Sequence, residues 1–163
     1  MHDLTVQDKL ALLVHVQETL AHSLRQAQTA ASDAAREATH EDAKAEDKYD
    51  TRALELTYLA AGQNERIETM RKALQTLHFW QPKANTAETI QAGALVLAQD
   101  TAGLAAEQWY WLVPAAVGGR FVVRGTPIAA VSTSAPIGEA LLGAMVDDEV
   151  RVGAKRLTVL EII

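Results

Sequence analysis

Apolar or small residues recur in steps of three and four from Leu10 through Leu13, Leu20, Leu24, Ala27, Ala31 and Ala34 to Ala38, with Gln17 keeping the beat between Leu13 and Leu20. That spacing returns to one face of a helix every two turns and predicts a sustained heptad seam. A second seam runs from Tyr49 through Ala53, Leu56, Ala60, Gln63, Ile67, Met70 and Leu74 to Leu77. Two antiparallel helices would supply one another's missing partner. Facing positions in such a pair have a constant sum, and Leu10 with Leu77, Leu20 with Ile67, Ala31 with Leu56 and Ala38 with Tyr49 all give 87. This register sets Gln17 against Met70 and Gln63 against Leu24 as polar seam positions, and it reverses the chain within residues 39–48. Leucine dominates the base of the seam and alanine its far end. Alanine lets helices approach closely but buries less apolar surface, at about 25 cal/mol per Å², so the far end is expected to be slender.

Beyond Leu77 the period changes. Phe79-Trp80-Gln81-Pro82 breaks the helical pattern, and the polar run that follows reads as a linker over 80–88. Strands are expected at Ile90 to Ala98, at Gln108 to Val113 with Trp109, Trp111 and Val113 on one face, and at Arg120 to Arg124 after a Gly118-Gly119 turn. Pro127 to Val131 is a further apolar run. Pro136 to Leu142 has the length of a short helix, with proline suited to its first turn, Ser134 as a candidate cap and Gly143 as its stop. Glu149 to Val152 and Arg156 to Ile163 flank Gly153-Ala154 as a closing hairpin. The fold class is therefore α+β: a helical hairpin over residues 1–79, then an antiparallel sheet domain with one short helix over 89–163.

Composition sharpens that division. All four prolines and eight of the nine glycines lie after residue 80, where strands and turns are expected, and the helical half holds only Gly62. The net charge of −6 gives no basic footprint for a nucleic-acid backbone, which argues against direct DNA or RNA binding. There is no cysteine for a disulfide, a zinc knuckle or a thiol nucleophile, and the beginning of the chain lacks a secretory pattern. No apolar run reaches the roughly 18 residues of a membrane span. A cytoplasmic protein is expected. The seam is satisfied within one chain, so a monomer is the simplest expectation.

Candidate chemistry concentrates at the hairpin's turn, where Glu41, Asp42, Glu46 and Asp47 place four carboxylates in seven positions. Glu46 and Asp47 would stand near the start of the second helix, whose dipole favours negative charge. Asp33, Glu37 and Glu41 form an acidic line that can pair with Lys44, Lys48 and Arg52. Asp42, Glu46 and Asp47 are harder to account for structurally, because crowded carboxylates repel one another without a cation or basic partner. Two readings stand: a solvated acidic end, or a tip directed at a metal or a partner. A metal site made of His40, Glu41 and Asp42 alone is disfavoured, since consecutive residues at an exposed turn rarely converge on one ion. All five histidines precede residue 80, and neither a nucleophile–base set nor a phosphate loop is present. Trp80, Trp109 and Trp111 read first as core, with an aromatic groove as the alternative.

The chain resembles the bacterial Gre family of transcription elongation factors along nearly its whole length. The residues that carry the resemblance are Ser134-Ala135-Pro136-Ile137-Gly138-Glu139-Ala140-Leu141-Leu142-Gly143, followed by Asp148-Glu149-Val150. They are similar to the family's Ser-Pro-(Ile/Leu)-x-x-Ala-Leu-(Ile/Leu)-Gly signature and the strand behind it, with Ser134, Pro136, Ile137, Ala140, Leu141 and Gly143 at the signature positions. The resemblance implies an antiparallel coiled coil with an acidic tip, followed by an FKBP-like domain. At the tip, the family pattern Gly-Asp-Leu-Lys-Glu-Asn-Ala-Glu-Tyr keeps Asp42, Lys44 and Tyr49 but meets Glu41 at its glycine, Ala45 at its second acid and Glu46 one position later.

The resemblance further implies RNA polymerase as partner, with the arm in its secondary channel and the globular domain on the channel rim. Asp42 and Glu46 would then share a Mg²⁺ with the polymerase active site, no cofactor being held tightly by the chain itself. Magnesium takes oxygen ligands in tight octahedral geometry, and a carboxylate moved by one helical residue rotates by about 100°, so the Ala45 departure bears directly on transcript cleavage. The expected function is that of an accessory factor, not an enzyme in its own right, which modulates elongation and stimulates cleavage of backtracked transcripts. The alternatives are a non-cleaving channel-binding regulator or inhibitor, and a peptide-binding or prolyl isomerase module with Trp109, Tyr110 and Trp111 along a groove.

Overall fold

A computed structural model describes residues 4–42, 51–101 and 107–163, with the side chains of 37–42 and 51–57 set aside. Helix α1 spans Val6–Asp42 and α2 spans Thr51–Phe79. Neither contains proline, and at about 1.5 Å per residue α1 is roughly 55 Å long. Thr5 precedes α1, and Asp8 three residues later accepts from the Thr5 backbone N–H at 2.7 Å and from its hydroxyl at 2.8 Å. The carboxylate thus reaches back over the start of the helix as in a capping box, satisfying a donor the helix itself cannot.

The two helices pack along their seams, but not in the expected register at the base. Gln17 donates its side-chain amide to the Leu77 carbonyl at 2.9 Å, seven residues beyond Met70, its expected partner. Leu10, expected opposite Leu77, is 46% exposed. A seam of threes and fours fixes which face of each helix is apolar, but not how far one helix slides along the other. The choice is made at the base, where Leu12, Leu13 and Val16 turn toward the sheet, and at the turn, where residues 39–42 continue α1 instead of reversing it. The expected reversal over residues 39–48 lies, from residue 43 on, outside the described residues.

Six strands follow: β1 (Leu95–Asp100), β2 (Gln108–Val113), β3 (Gly118–Val123), β4 (Thr126–Ser132), β5 (Glu149–Val152) and β6 (Lys155–Ile162), with the short helix α3 (Pro136–Leu141) between β4 and β5. They form one sheet in the order β3-β4-β2-β1-β6-β5. The expected all-antiparallel sheet is in fact mixed, because β2 and β4 run parallel, Trp109 beside Ile128 and Val113 beside Ser132. The hairpin partner of β4 is β3, at the outer edge, so β4 returns next to β2 in the same direction. Alternation of side chains reports which face a residue takes, not which strand lies beside it. Gly118 and Gly119 belong to β3 and not to a turn, and the first strand starts at Leu95, with Ile90 buried ahead of it.

The faces of the sheet close in different ways. Leu95, Leu97, Trp109, Trp111 and Val113 pack with Leu12, Leu13, Val16, Ala73 and Leu77 from the base of the helical hairpin, forming one core. Val96, Leu112 and Val159 on the opposite face pack with Ile90 and with Leu141 of α3. Helix α3 lies very close to β4: a Cβ on Gly138 would stand 2.0 Å from the Ser132 carbonyl oxygen, so only glycine fits. Its N-cap is Ala135, without a side-chain cap; Ser134, expected there, instead shares a 2.8 Å hydroxyl contact with Ser132. Gly143 follows the helix at φ +80°, the left-handed conformation that glycine adopts without strain.

Candidate functional site

The far end of the hairpin is reached by α1 itself, which carries Glu41 and Asp42 as its last two residues. Glu46 and Asp47 fall in 43–50, outside the described residues, as do the tip partners Lys44 and Lys48. Leading up to the tip, Ala30, Ala31, Ala34 and Ala35 of α1 and Leu59, Ala60, Gln63 and Asn64 of α2 line a groove of about 410 Å³. Tyr58 and Leu59 stand 70% and 62% exposed here. Asp33 of the expected acidic line approaches Arg36 of its own helix at 3.9 Å, with both side chains exposed. Such a pair contributes little.

Among the described residues, no group of three or more histidine, aspartate or glutamate side chains is placed to hold a metal ion. Asp42 and Glu46 offer carboxylate oxygens, a hard donor set that fits Mg²⁺ and leaves the remaining positions to water and phosphate.

The signature residues divide between building the fold and facing solvent. Leu141 is fully buried and Ile137 packs against the same core, while Ser134 and Pro136 are exposed. Just beyond them, Leu142, Met145 and Val146 stand 39%, 45% and 46% exposed, a cluster of large apolar side chains that periodicity did not single out. Exposed leucine, methionine and valine within five positions are the sequence signal that could have found it. Trp109 and Trp111 are 2% and 0% exposed, with Trp80 packed on Trp111 at 5.7 Å between ring centroids. They are core, and Tyr110 faces the other side of the sheet, so the aromatic groove considered for Trp109, Tyr110 and Trp111 does not exist.

The base of the hairpin carries the perturbed ionisable groups. Burial pushes the Asp8 carboxyl up, but hydrogen bonds from the Thr5 hydroxyl and backbone N–H, with the nearby Arg124 guanidinium, outweigh it and hold the group below its ordinary value of 3.8. Arg124 Nε lies 2.8 Å from Asp8 Oδ1. Lys9 is fully buried, and burial lowers its pKa from 10.5 to about 8. Its Nζ donates to the carbonyls of Lys83 at 3.0 Å and Ile163 at 2.7 Å.

No protein-family model and no curated protein sequence matches the chain. Among solved structures, it is similar to the GreA factor homolog 1 (Gfh1) protein of Thermus thermophilus, at 21% identity over 90% of this chain and 94% of that one, with a TM-score of 0.38. It is also similar to Gfh1 of Thermus aquaticus, at 24% identity over 90% and 93% of the two chains, again with a TM-score of 0.38.

Proposed function

We propose that this chain is a Gre-type accessory factor of bacterial RNA polymerase, a cytoplasmic monomer that reaches the polymerase active site through the secondary channel with its acidic tip. The observation that carries the reading is a long glycine-poor helical arm, ending in Glu41 and Asp42, built onto a sheet whose α3 bears the Ser134 to Gly143 signature. An arm of about 55 Å suits a probe that works far from its anchor. The exposed cluster of Leu142, Met145 and Val146 suits the anchor itself, since clustered apolar side chains on a surface mark a place where a protein partner sits. Direct nucleic-acid recognition is not part of the proposal.

Asp42 and Glu46 are the proposed ligands of a Mg²⁺ shared with the polymerase, with Glu41 and Asp47 adding negative charge around them. The shared ion supplies a polarised water and charge neutralisation for phosphodiester cleavage. The chain's own part is to present carboxylates at the end of a stiff arm and to exclude bulk water by filling the channel.

Transcript cleavage on backtracked complexes tests the reading, comparing the native chain with Asp42→Ala and Glu46→Ala. Cleavage that is lost in both variants while polymerase binding persists is the expected result; absence of polymerase binding by the native chain refutes the proposal. Ala45, where the resemblance has its second acid, favours one other reading, a channel occupant that does not cleave. That reading predicts native binding and inhibition without cleavage.

A further inference from the structure

We infer that the first turn of α1 is a locked joint, in which Asp8 and Lys9 fix the direction of the helical arm against the sheet and so act as positioning residues for its far end. The geometry stands by itself; the importance of the arm's direction rests on the channel-entering reading proposed above.

Two adjacent residues of one helical turn reach three separate segments. Asp8 pairs with Arg124 in the tight turn joining β3 to β4, where Arg124 and Gly125 both take positive φ, +50° and +80°. Lys9 donates to the carbonyl of Lys83 in the segment after α2 and to that of Ile163 beyond the end of β6. The Ile163 carbonyl also accepts from Leu95 N–H at 3.0 Å, so this second tie ends on the paired backbone of the sheet. Successive helical residues project about 100° apart, and the two ties therefore pull in different directions around the axis of α1.

The apolar contacts beneath them cannot do this alone. Burial of Leu12, Leu13 and Val16 against the sheet holds the helix down, but hydrophobic attraction is non-directional and permits sliding and rotation. Hydrogen bonds are directional. A fully buried lysine is also a poor choice for stability alone, because an apolar side chain of similar volume avoids the cost of desolvating an ammonium group. Its presence is accounted for by what it specifies. Lys9 lies 33 residues before Asp42, a lever of about 50 Å, so a tilt of about 10° at the joint moves the far end by roughly 9 Å. That displacement is large against the tolerance of a metal site.

The absence of cysteine permits a clean test by paired nitroxide labels at Ser32→Cys on the arm and Glu139→Cys on α3. Distances are measured by pulsed electron resonance in the otherwise native chain, in Arg124→Gln and in Lys9→Met, alongside melting temperatures. The expected result is one narrow distribution in the native chain, broadened or shifted by several ångströms in each variant while the fold persists. A broad native distribution, or unchanged distances in the variants, overturns the joint. Should Lys9→Met fail to fold, Arg124→Gln decides, because the Arg124 side chain is 58% exposed and its loss leaves the core intact. In parallel, a variant with a broadened distribution should bind polymerase yet lose cleavage or inhibition; unchanged activity overturns the positioning role. Failure of the native labelled chain to bind polymerase falls on the proposed function and leaves the distance result standing.

Discussion

The side-chain amide of Gln17 donates to the main-chain carbonyl of Leu77 at 2.9 Å, tying the lower third of one helix to the last turn of the other. Leu77 is among the final four residues of α2, whose carbonyls have no partner within the helix. Gln17 supplies one. A polar residue in an apolar seam thereby satisfies a helix end and holds the two helices in their observed alignment. Gln17→Leu leaves the seam more apolar but orphans this carbonyl, and should lower stability by about 1–2 kcal/mol in urea titration. Equal or greater stability would show that the bond does not select the register.

Gly62 lies exposed within α2, and a Cβ placed there meets nothing within 4 Å. Gly62→Ala should stabilise the chain by about 0.5–1 kcal/mol by removing the backbone entropy penalty of glycine. A rise in melting temperature of about 1–4 °C is the corresponding reading.

Gly138 gives the opposite result for a steric reason. A methyl group there collides with the Ser132 carbonyl and forces α3 away from β4. Gly138→Ala should cost about 1–3 kcal/mol, the usual range for overpacking. Urea titration checks this, and unchanged stability would refute the steric reading.

Lys9 and Asp8 give stability a pH dependence with a definite sign. The unfolded chain holds the Lys9 proton up to pH 10.5 and the folded chain only to about 8, so the unfolded state binds more protons between these values. Stability therefore rises across that window, by an amount on the order of 3 kcal/mol, and the rise should vanish in Lys9→Met. Tyr110, whose phenol is raised by burial, acts in the other direction at the alkaline end, and comparison of the two chains cancels it. Asp8 has a lowered pKa in the folded state. Its contribution is present above 3.8 and is lost as the pH falls through the folded value, so Asp8→Asn should flatten the acid limb of the same titration.

The alternation at Gln108 to Val113 identified a strand with the right bounds and faces, because each side of that strand meets a dry core. The seams identified both helices for a similar reason. What they could not supply was phase: Leu10 and Leu13 have the same heptad claim, and only the sheet, distant in sequence, leaves Leu10 in solvent and buries Leu13. Strand neighbours were equally illegible, since nothing in the residues of β2 distinguishes a parallel from an antiparallel partner. At the candidate site, the charge cluster that includes Glu41 and Asp42 is a local property, visible in the sequence alone. Asp8, Lys9 and Arg124 could not be read in this way, because their meaning comes from contacts across 74 to 154 positions of chain.

The wall of Leu95, Leu97, Trp109, Trp111 and Val113 is covered by the base of the hairpin and by nothing else of comparable apolar area among the described residues. Cut at the linker, the sheet would present two tryptophans to water and the arm would lose the surface its leucines rest on. The two halves differ in architecture but are not interchangeable parts. A chimera that grafts another arm onto this sheet inherits a floor shaped for Leu12, Leu13 and Val16, and new arms can be tried only beyond Leu20, which still packs against it.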